Sequence, residues 1–361
     1  MLAAVIYFCC NFDCHIILVS NIGCVFYSVE FGETRQLLDS DEVVLIQADE
    51  LNEDNALLLT INGLFTMEPD GSTRPVVSKT EFEDSNVKPD DITSFVQHNA
   101  STIIFVEDRA HCLRLLKRTD QSQDIISTMA GNCRSSGSTN GKFDKAKFDE
   151  PQTLVNGESS NTYYLTENRD GDGIIRLIQM AEESVTNFYD KEPSNELFWY
   201  SMVYMPQRDT LYTSTSTGLS SLDISSKQYS WVVHGGLSAI NGPFSSAKII
   251  KNVALASVSN DVIIAVPKSQ DDVQLQLIDL KAGSISSMKF KADTLTCVGV
   301  DSSRNVIYLG AISGVYILPC EYLLCSLINF KFRLNIFTCY VLLHTLTAYL
   351  SIHLCLYFAC G

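Results

Sequence analysis

A hairpin unit occurs twice in this chain at matched spacing. From Pro89 the chain runs through an apolar strand, Thr102 to Asp108, a short polar turn, and Cys112-Leu113-Arg114-Leu115-Leu116. From Pro151 it runs through Thr162 to Asn168, a Gly-rich turn, and Ile174-Ile175-Arg176-Leu177-Ile178; in both units the arginine follows the proline by 25 residues. A unit this small cannot bury its apolar face alone. Copies of it imply an array of blades packed side by side.

The segment between Asp41 and Leu318 extends the pattern. Short apolar strands alternate with Gly, Asn, Asp and Ser turns, and no stretch keeps a helical period for three turns, which is the signature of an all-β body. Three more hairpins turn through a glycine followed by an aliphatic residue, at Gly63-Leu64, Gly218-Leu219 and Gly314-Val315. A sixth, with a longer turn, joins Val262–Val266 to Val273–Ile278. Glycine suits such turns because a tight hairpin needs a positive φ. The aliphatic residues after the turns, Leu64, Leu113, Ile175, Leu219, Leu275 and Val315, are separated by 49, 62, 44, 56 and 40 residues. Each interval accommodates a four-stranded blade of about 40–50 residues. The expected fold is a six-bladed β-propeller over residues 41–318.

Part of this body resembles a known repeat. Met129-Ala130-Gly131, then Asn140-Gly141-Lys142-Phe143-Asp144-Lys145-Ala146-Lys147-Phe148-Asp149-Glu150-Pro151, the strand Tyr163 to Thr166, and Ile175-Arg176-Leu177-Ile178 look like one NHL repeat. The preceding unit is similar, with Pro89, Val106-Glu107-Asp108 and His111-Cys112-Leu113-Arg114. The resemblance covers residues 82–178 and implies a six-bladed propeller. One unit keeps the family's histidine, at His111, and Ala110 stands where the family places asparagine. The sixth blade reaches Leu318 where its outer strand is due. Residues 321–329, the segment from Cys24 to Phe31, or an incomplete ring are the alternatives for that edge, since an open blade exposes unpaired backbone.

Charge separates this body from the two ends. Residues 1–27 carry Asp13 alone and residues 319–361 carry Glu321, Lys331 and Arg333, so the body holds the net charge of −16. That acidity disfavours nucleic acid as a partner. Residues 1–27 read as a signal peptide or short anchor, although Asn11, Asp13 and His15 interrupt the apolar run. Residues 336–359 contain no Asp, Glu, Lys or Arg and are 24 residues long. As a helix that run reaches about 36 Å, enough for a hydrocarbon core of about 30 Å. It reads as a membrane helix, or as a tail foreign to the propeller. Nine of the 12 cysteines lie in these ends, and Cys112, Cys133 and Cys297 lie in the body. Cys112 and Cys133 are either paired or free thiols. Asn99-Ala100-Ser101 is a glycosylation sequon, compatible with export.

The body offers few groups for chemistry. Asn168-Arg169-Asp170-Gly171-Asp172-Gly173 imitates the start of a calcium loop, but its twelfth position is Gln179 rather than a bidentate glutamate, so a hairpin turn is the expectation. His234-Gly235-Gly236 has no accompanying nucleophile elbow. His98, His111 and His234 are isolated in sequence, whereas a catalytic zinc needs convergent ligands. The candidate metal ligands are thus His111, His234, Asp170 and Asp172, for zinc or calcium, with no cofactor expected. Arg114 and Arg176 are expected to pair with a carboxylate of a neighbouring blade. Phe82, Phe143 and Phe148 are expected to anchor blade against blade. These readings favour a non-enzymatic platform, secreted or membrane-associated, that binds a protein or small ligand at a loop-bearing face. The alternative is a metal-dependent lyase or lactonase using the central channel, since some NHL propellers are lyases.

Overall fold

The structure, a computed structural model, describes residues 42–49, 55–99, 101–118, 124–169, 172–190, 199–268, 273–290, 292 and 294–319, together with the backbone of strands Ala4–Cys10, Asp13–Ser20, Gly23–Val29 and Arg35–Gln36. The chain forms two units, Met1–Phe31 with Glu321–Gly361, and Gly32–Cys320. In the first unit the three strands from Ala4 to Val29 make an antiparallel meander. The 336–359 segment lies outside the described residues. Among the described residues no helix is long and apolar enough to cross a membrane.

The second unit is a six-bladed β-propeller. Blade 1 consists of Val43–Ala48, Ala56–Thr60, Gly63–Met67 and Thr73–Ser78, and blade 2 of Ile92–Asn99, Thr102–Glu107, Cys112–Lys117 and Ile125–Gly131. Blade 3 contains Pro151–Asn156, Thr162–Arg169, Asp172–Gln179 and Ser184–Asp190; blade 4 contains Trp199–Met205, Thr210–Thr215, Gly218–Asp223 and Tyr229–Gly236. Blade 5 contains Val253–Ser259, Val262–Pro267, Val273–Asp279 and Ser284–Phe290. Blade 6 runs Leu295–Asp301, Val306–Ala311 and Gly314–Pro319, and its fourth strand is Arg35–Gln36, antiparallel to Tyr316-Ile317. The ring therefore closes through Arg35–Gln36, a few residues past the Cys24 to Phe31 segment, whose described strand Gly23–Val29 pairs instead within the first unit; residues 321–329 lie outside the described residues.

The first strands of successive blades neighbour one another around the whole circle, blade 6 against blade 1 included. Small hydroxyl side chains join them where backbones do not pair. Thr93 Oγ1 donates to Gln152 O at 2.7 Å, Thr153 Oγ1 to Tyr200 O at 3.4 Å, and Thr296 Oγ1 to Val43 O, while Ser201 Oγ accepts from Leu255 N at 3.0 Å. The second strands sit between neighbouring blades on both faces. Hence Ala56–Thr60, Thr102–Glu107 and Val262–Pro267 are buried at every position and read as continuous apolar runs.

Aromatic anchors fill the seams between blades. Ser78 caps the helix Lys79–Asp84 through a capping box with Glu81, and that helix delivers Phe82 into the seam of blades 1 and 2, edge-on to Phe105. Phe148 is fully buried in the seam of blades 2 and 3. The Phe148 strand entry belongs to a motif present twice: Asn140-Gly141-x-Phe143-x-x-Ala146-Lys147 recurs as Asn241-Gly242-x-Phe244-x-x-Ala247-Lys248. In both copies the glycine has a positive φ (140° and 137°) and pairs with the outer strand of the following blade, at Val185 and Ile285.

Two expectations need correcting. Pro151 opens the first strand of blade 3 and pairs with Glu167, whereas the equivalent partner of Glu107 is Ile92, three residues beyond Pro89. The two prolines are therefore not equivalent, because the second hairpin is longer than the first. Arg114 and Arg176 are equivalent, lying opposite Phe105 and Leu165, but each takes its carboxylate from its own blade. Arg114 Nε lies 2.7 Å from Glu107 Oε2 and Arg176 Nη1 lies 2.7 Å from Glu167 Oε2. One terminal nitrogen of each reaches the preceding connection: Arg114 Nη2 donates to Asn86 O, and Arg176 Nη2 to Thr139 O and Asn140 Oδ1, while Arg114 Nη1 donates to Thr128 Oγ1 of its own blade at 2.9 Å. Gln276 holds the equivalent place in blade 5 and clasps Lys248 O and Ile250 N, as Arg176 clasps Lys147 O.

Candidate functional site

Up-and-down blades place the turns between second and third strands, and the connections from blade to blade, on one face of the ring. The turns from first to second and from third to fourth strands fall on the other. The connecting face carries the long segments 79–91, 132–150 and 237–252. Such segments are where a rigid scaffold exposes binding groups.

Polar groups converge on this face at the junction of blades 2 and 3. Asp108 follows the second strand of blade 2; its N–H donates to Asp91 O at 3.0 Å, and Gln152 of blade 3 hydrogen-bonds its carboxyl. Burial pushes the Asp108 carboxyl above its ordinary value, and Oδ1 is buried with no hydrogen-bond partner. Arg109, exposed beside it, lies 3.3 Å from Asp91 Oδ1. His111 follows in left-handed backbone (φ 57°), with Nδ1 accepting from Glu150 N at 3.3 Å and 3.8 Å from Asp149 Oδ1. That hydrogen bond puts the neutral ring's proton on Nε2. Asp149 N in turn donates to Glu167 Oε1 at 2.9 Å. A rim rich in carboxylates with one buried acceptor unused receives hydroxyl or ammonium donors, and repels oxyanions.

A disulfide braces the same blade. Cys112 and Cys133 are bonded, tying the third strand of blade 2 to the connection that leaves it. Glu107 lies beside them, so a glutamate and two cysteines present ligand atoms within 4.8 Å. The sulfurs are bonded to one another and Arg114 holds the carboxylate, so the trio is a brace and not an open ligand set.

The remaining sequence candidates are scattered. His98 ends the first strand of blade 2 at the opposite face from His111, its Nδ1 2.6 Å from Tyr163 Oη. His234 lies in the outermost strand of blade 4, stacked on Trp231 with centroids 6.1 Å apart. The three histidines are not brought together. Asp170 and the side chain of Asp172 lie outside the described residues. Asn99 is exposed, with Oδ1 accepting from Ser101 N at 3.0 Å. The sequence reading passed over Asp108 as a site residue, and its only signal was a carboxylate just past the end of a wholly buried strand.

The fold defines a six-bladed β-propeller, and solved structures of similar architecture agree. A structural genomics protein of unknown function from Bacteroides thetaiotaomicron aligns at a TM-score of 0.57 with 10% identity, covering 85% of this chain and 82% of that one. An auxiliary nutrient binding protein from the same organism aligns at 0.56 with 10% identity, covering 85% and 83%. The extracellular domain of a proposed one-component system from B. thetaiotaomicron aligns at 0.50 with 12% identity; 80% of this chain matches 40% of that one. At these identities the likeness is one of fold. No protein-family model matches the sequence, and no curated protein matches it either.

Proposed function

We propose that this chain is a non-enzymatic binding propeller of the NHL-like kind, exported, which receives a small donor-rich ligand or a protein loop on its connecting face where blades 2 and 3 meet. The observation that carries this reading is the Asp108 carboxylate, whose buried Oδ1 lacks a partner in a setting shared with Asp91, Arg109 and His111. A buried acceptor left unmade costs about 1–3 kcal/mol, and a bound donor recovers it. The second copy of the Asn-Gly-x-Phe motif at Asn241 supports an NHL-like repeat beyond the two original units. The Cys112–Cys133 bond supports export, because such bonds persist in oxidising compartments. A nutrient-binding protein and an extracellular domain among the similar folds favour the same reading. Residues 336–359 then serve as an anchor, which membrane fractionation of the natively expressed protein tests.

The experiment is a calorimetric screen of the purified protein against monosaccharides, oligosaccharides and amino acids, repeated with Asp108→Asn. Binding of one class to the wild type, lost in the variant, is expected. Metal analysis of the same preparation is the counter-test: stoichiometric zinc or calcium, with ligand binding unaffected by Asp108→Asn, would move the protein to the lyase or lactonase reading.

A further inference from the structure

We propose that the seam between blades 3 and 4 holds an aromatic cage for a small quaternary ammonium ligand, and that the protein's own Lys227 occupies it. The cage opens on the face opposite the connecting one, beside the short turns that carry Glu158, Asp209 and Lys227.

Six of the thirteen hydrophobic side chains of this seam are aromatic, Tyr164, Phe188, Tyr189, Trp199, Tyr204 and Tyr229, a larger share than in the seams of blades 2 and 3 or of blades 4 and 5. Phe188 is the extra residue of a β-bulge in the outer strand of blade 3, between Asn187 opposite Arg176 and Tyr189 opposite Ile175. A bulge re-aims its side chain, and here the ring turns into the seam. Tyr164 meets Phe188 edge-on at 4.6 Å between centroids, and Tyr204 of blade 4 lies 6.1 Å from Tyr164. The Lys227 ammonium stands 2.9 Å above the Phe188 centroid. Two carboxylates frame the opening. Tyr164 Oη donates to Glu158 Oε1 at 3.4 Å, and Ser225 Oγ donates to Asp209 Oδ2.

An ammonium on an aromatic face between two acids is the arrangement that recognises organic cations. Lys227 is poorly suited to stay there. Partial burial lowers its pKa, against the pull of Glu158 and Asp209. A primary ammonium is strongly hydrated and gives up water to sit on a ring. A trimethylammonium group is weakly hydrated, spreads its charge over methyl groups, and would take the place of the Lys227 ammonium on Phe188. Lys227 therefore acts as a tethered competitor, present at an effective concentration on the millimolar scale.

The test is titration of the full-length protein with choline chloride, followed by NMR and calorimetry, in the wild type, Lys227→Ala, and Lys227→Ala/Phe188→Ala. The expected result is that Lys227→Ala binds choline about tenfold more tightly than the wild type, that the double variant loses binding, and that 3,3-dimethylbutanol, the uncharged isostere, does not bind. Lys227→Gln repeats the comparison should Lys227→Ala fail to fold. Co-sedimentation with phosphatidylcholine vesicles assigns the group to a lipid headgroup, and binding of free choline without it assigns a soluble ligand. No choline binding by either Lys227 variant, or equal binding of the isostere, overturns the proposal. Because Asp108 lies on the other face, neither result bears on the connecting-face site.

Discussion

The carboxamide of Asn168 satisfies both backbone groups of Trp199: Trp199 N donates to Oδ1 at 2.9 Å and Nδ2 donates to Trp199 O at 3.3 Å. This two-point clasp ties the second strand of blade 3 to the first strand of blade 4, deep in the seam. Asn168→Asp keeps the acceptor but sets a carboxylate oxygen against a carbonyl. A loss of about 2–3 kcal/mol in urea unfolding is expected. Asn168→Ser, which shortens the reach, should lose a similar amount.

Gly173 lies under the same tryptophan. A Cβ there would stand 1.4 Å from Trp199 Nε1, so Gly173→Ala must displace the indole from the seam. Overpacking of this kind costs about 3 kcal/mol. Near-ultraviolet circular dichroism should show the changed tryptophan environment, and a variant with the wild-type spectrum and stability would contradict the packing.

Glu167 and Arg176 form an ion pair with no exposed surface on either side chain. Removing the carboxyl leaves the buried guanidinium without its acceptor, so Glu167→Ala should cost about 3–5 kcal/mol while Glu167→Leu/Arg176→Met recovers much of it. The pair also sets a pH dependence. Burial pushes the Glu167 carboxyl up to about 7, overcoming Arg176 and the Asp149 N–H. Between its ordinary value of about 4.5 and about 7 the folded protein holds a proton that the unfolded chain releases. Its contribution to stability is therefore full at low pH and declines as pH rises through that window. Glu167→Gln should lack this slope, so its urea midpoint should gain on the wild type between about pH 5 and 7.5.

Reducing the Cys112–Cys133 bond releases a loop spanning a sequence separation of 21. Loop-closure entropy predicts a loss of about 3 kcal/mol on reduction or in Cys112→Ser/Cys133→Ser. Thermal unfolding with and without reductant measures it. The double variant should be insensitive to reductant.

Much of the architecture was legible because each blade repeats one hairpin. Leu64, Leu113, Ile175, Leu219, Leu275 and Val315 are all buried in third strands, at one common position. The residue after each, Phe65, Arg114, Arg176, Ser220, Gln276 or Tyr316, faces an equivalent second-strand residue, from Leu58 in blade 1 to Leu309 in blade 6. The glycines before three of them have φ of 141°, 146° and 134°, as tight turns require. Asn241 to Lys248 was equally legible as a second copy of Asn140 to Lys147, but a search keyed to hairpins passes over a connection. The closing strand was not legible, since Arg35–Gln36 is two residues long and carries no periodicity. The site at Asp108 was legible only as an acidic residue beside a turn.

Sequence alone determined that this chain makes six similar antiparallel sheets, because strand alternation and turn glycines are local and each blade obeys them independently. Tertiary structure decided what arises between blades: that Arg176 serves its own blade's Glu167, that Asn168 clasps Trp199, that residues 35 and 36 close the ring, and that Asp108 keeps an unused oxygen. Those outcomes depend on distances between segments tens of residues apart, which are set only when the apolar faces of neighbouring blades pack and exclude water.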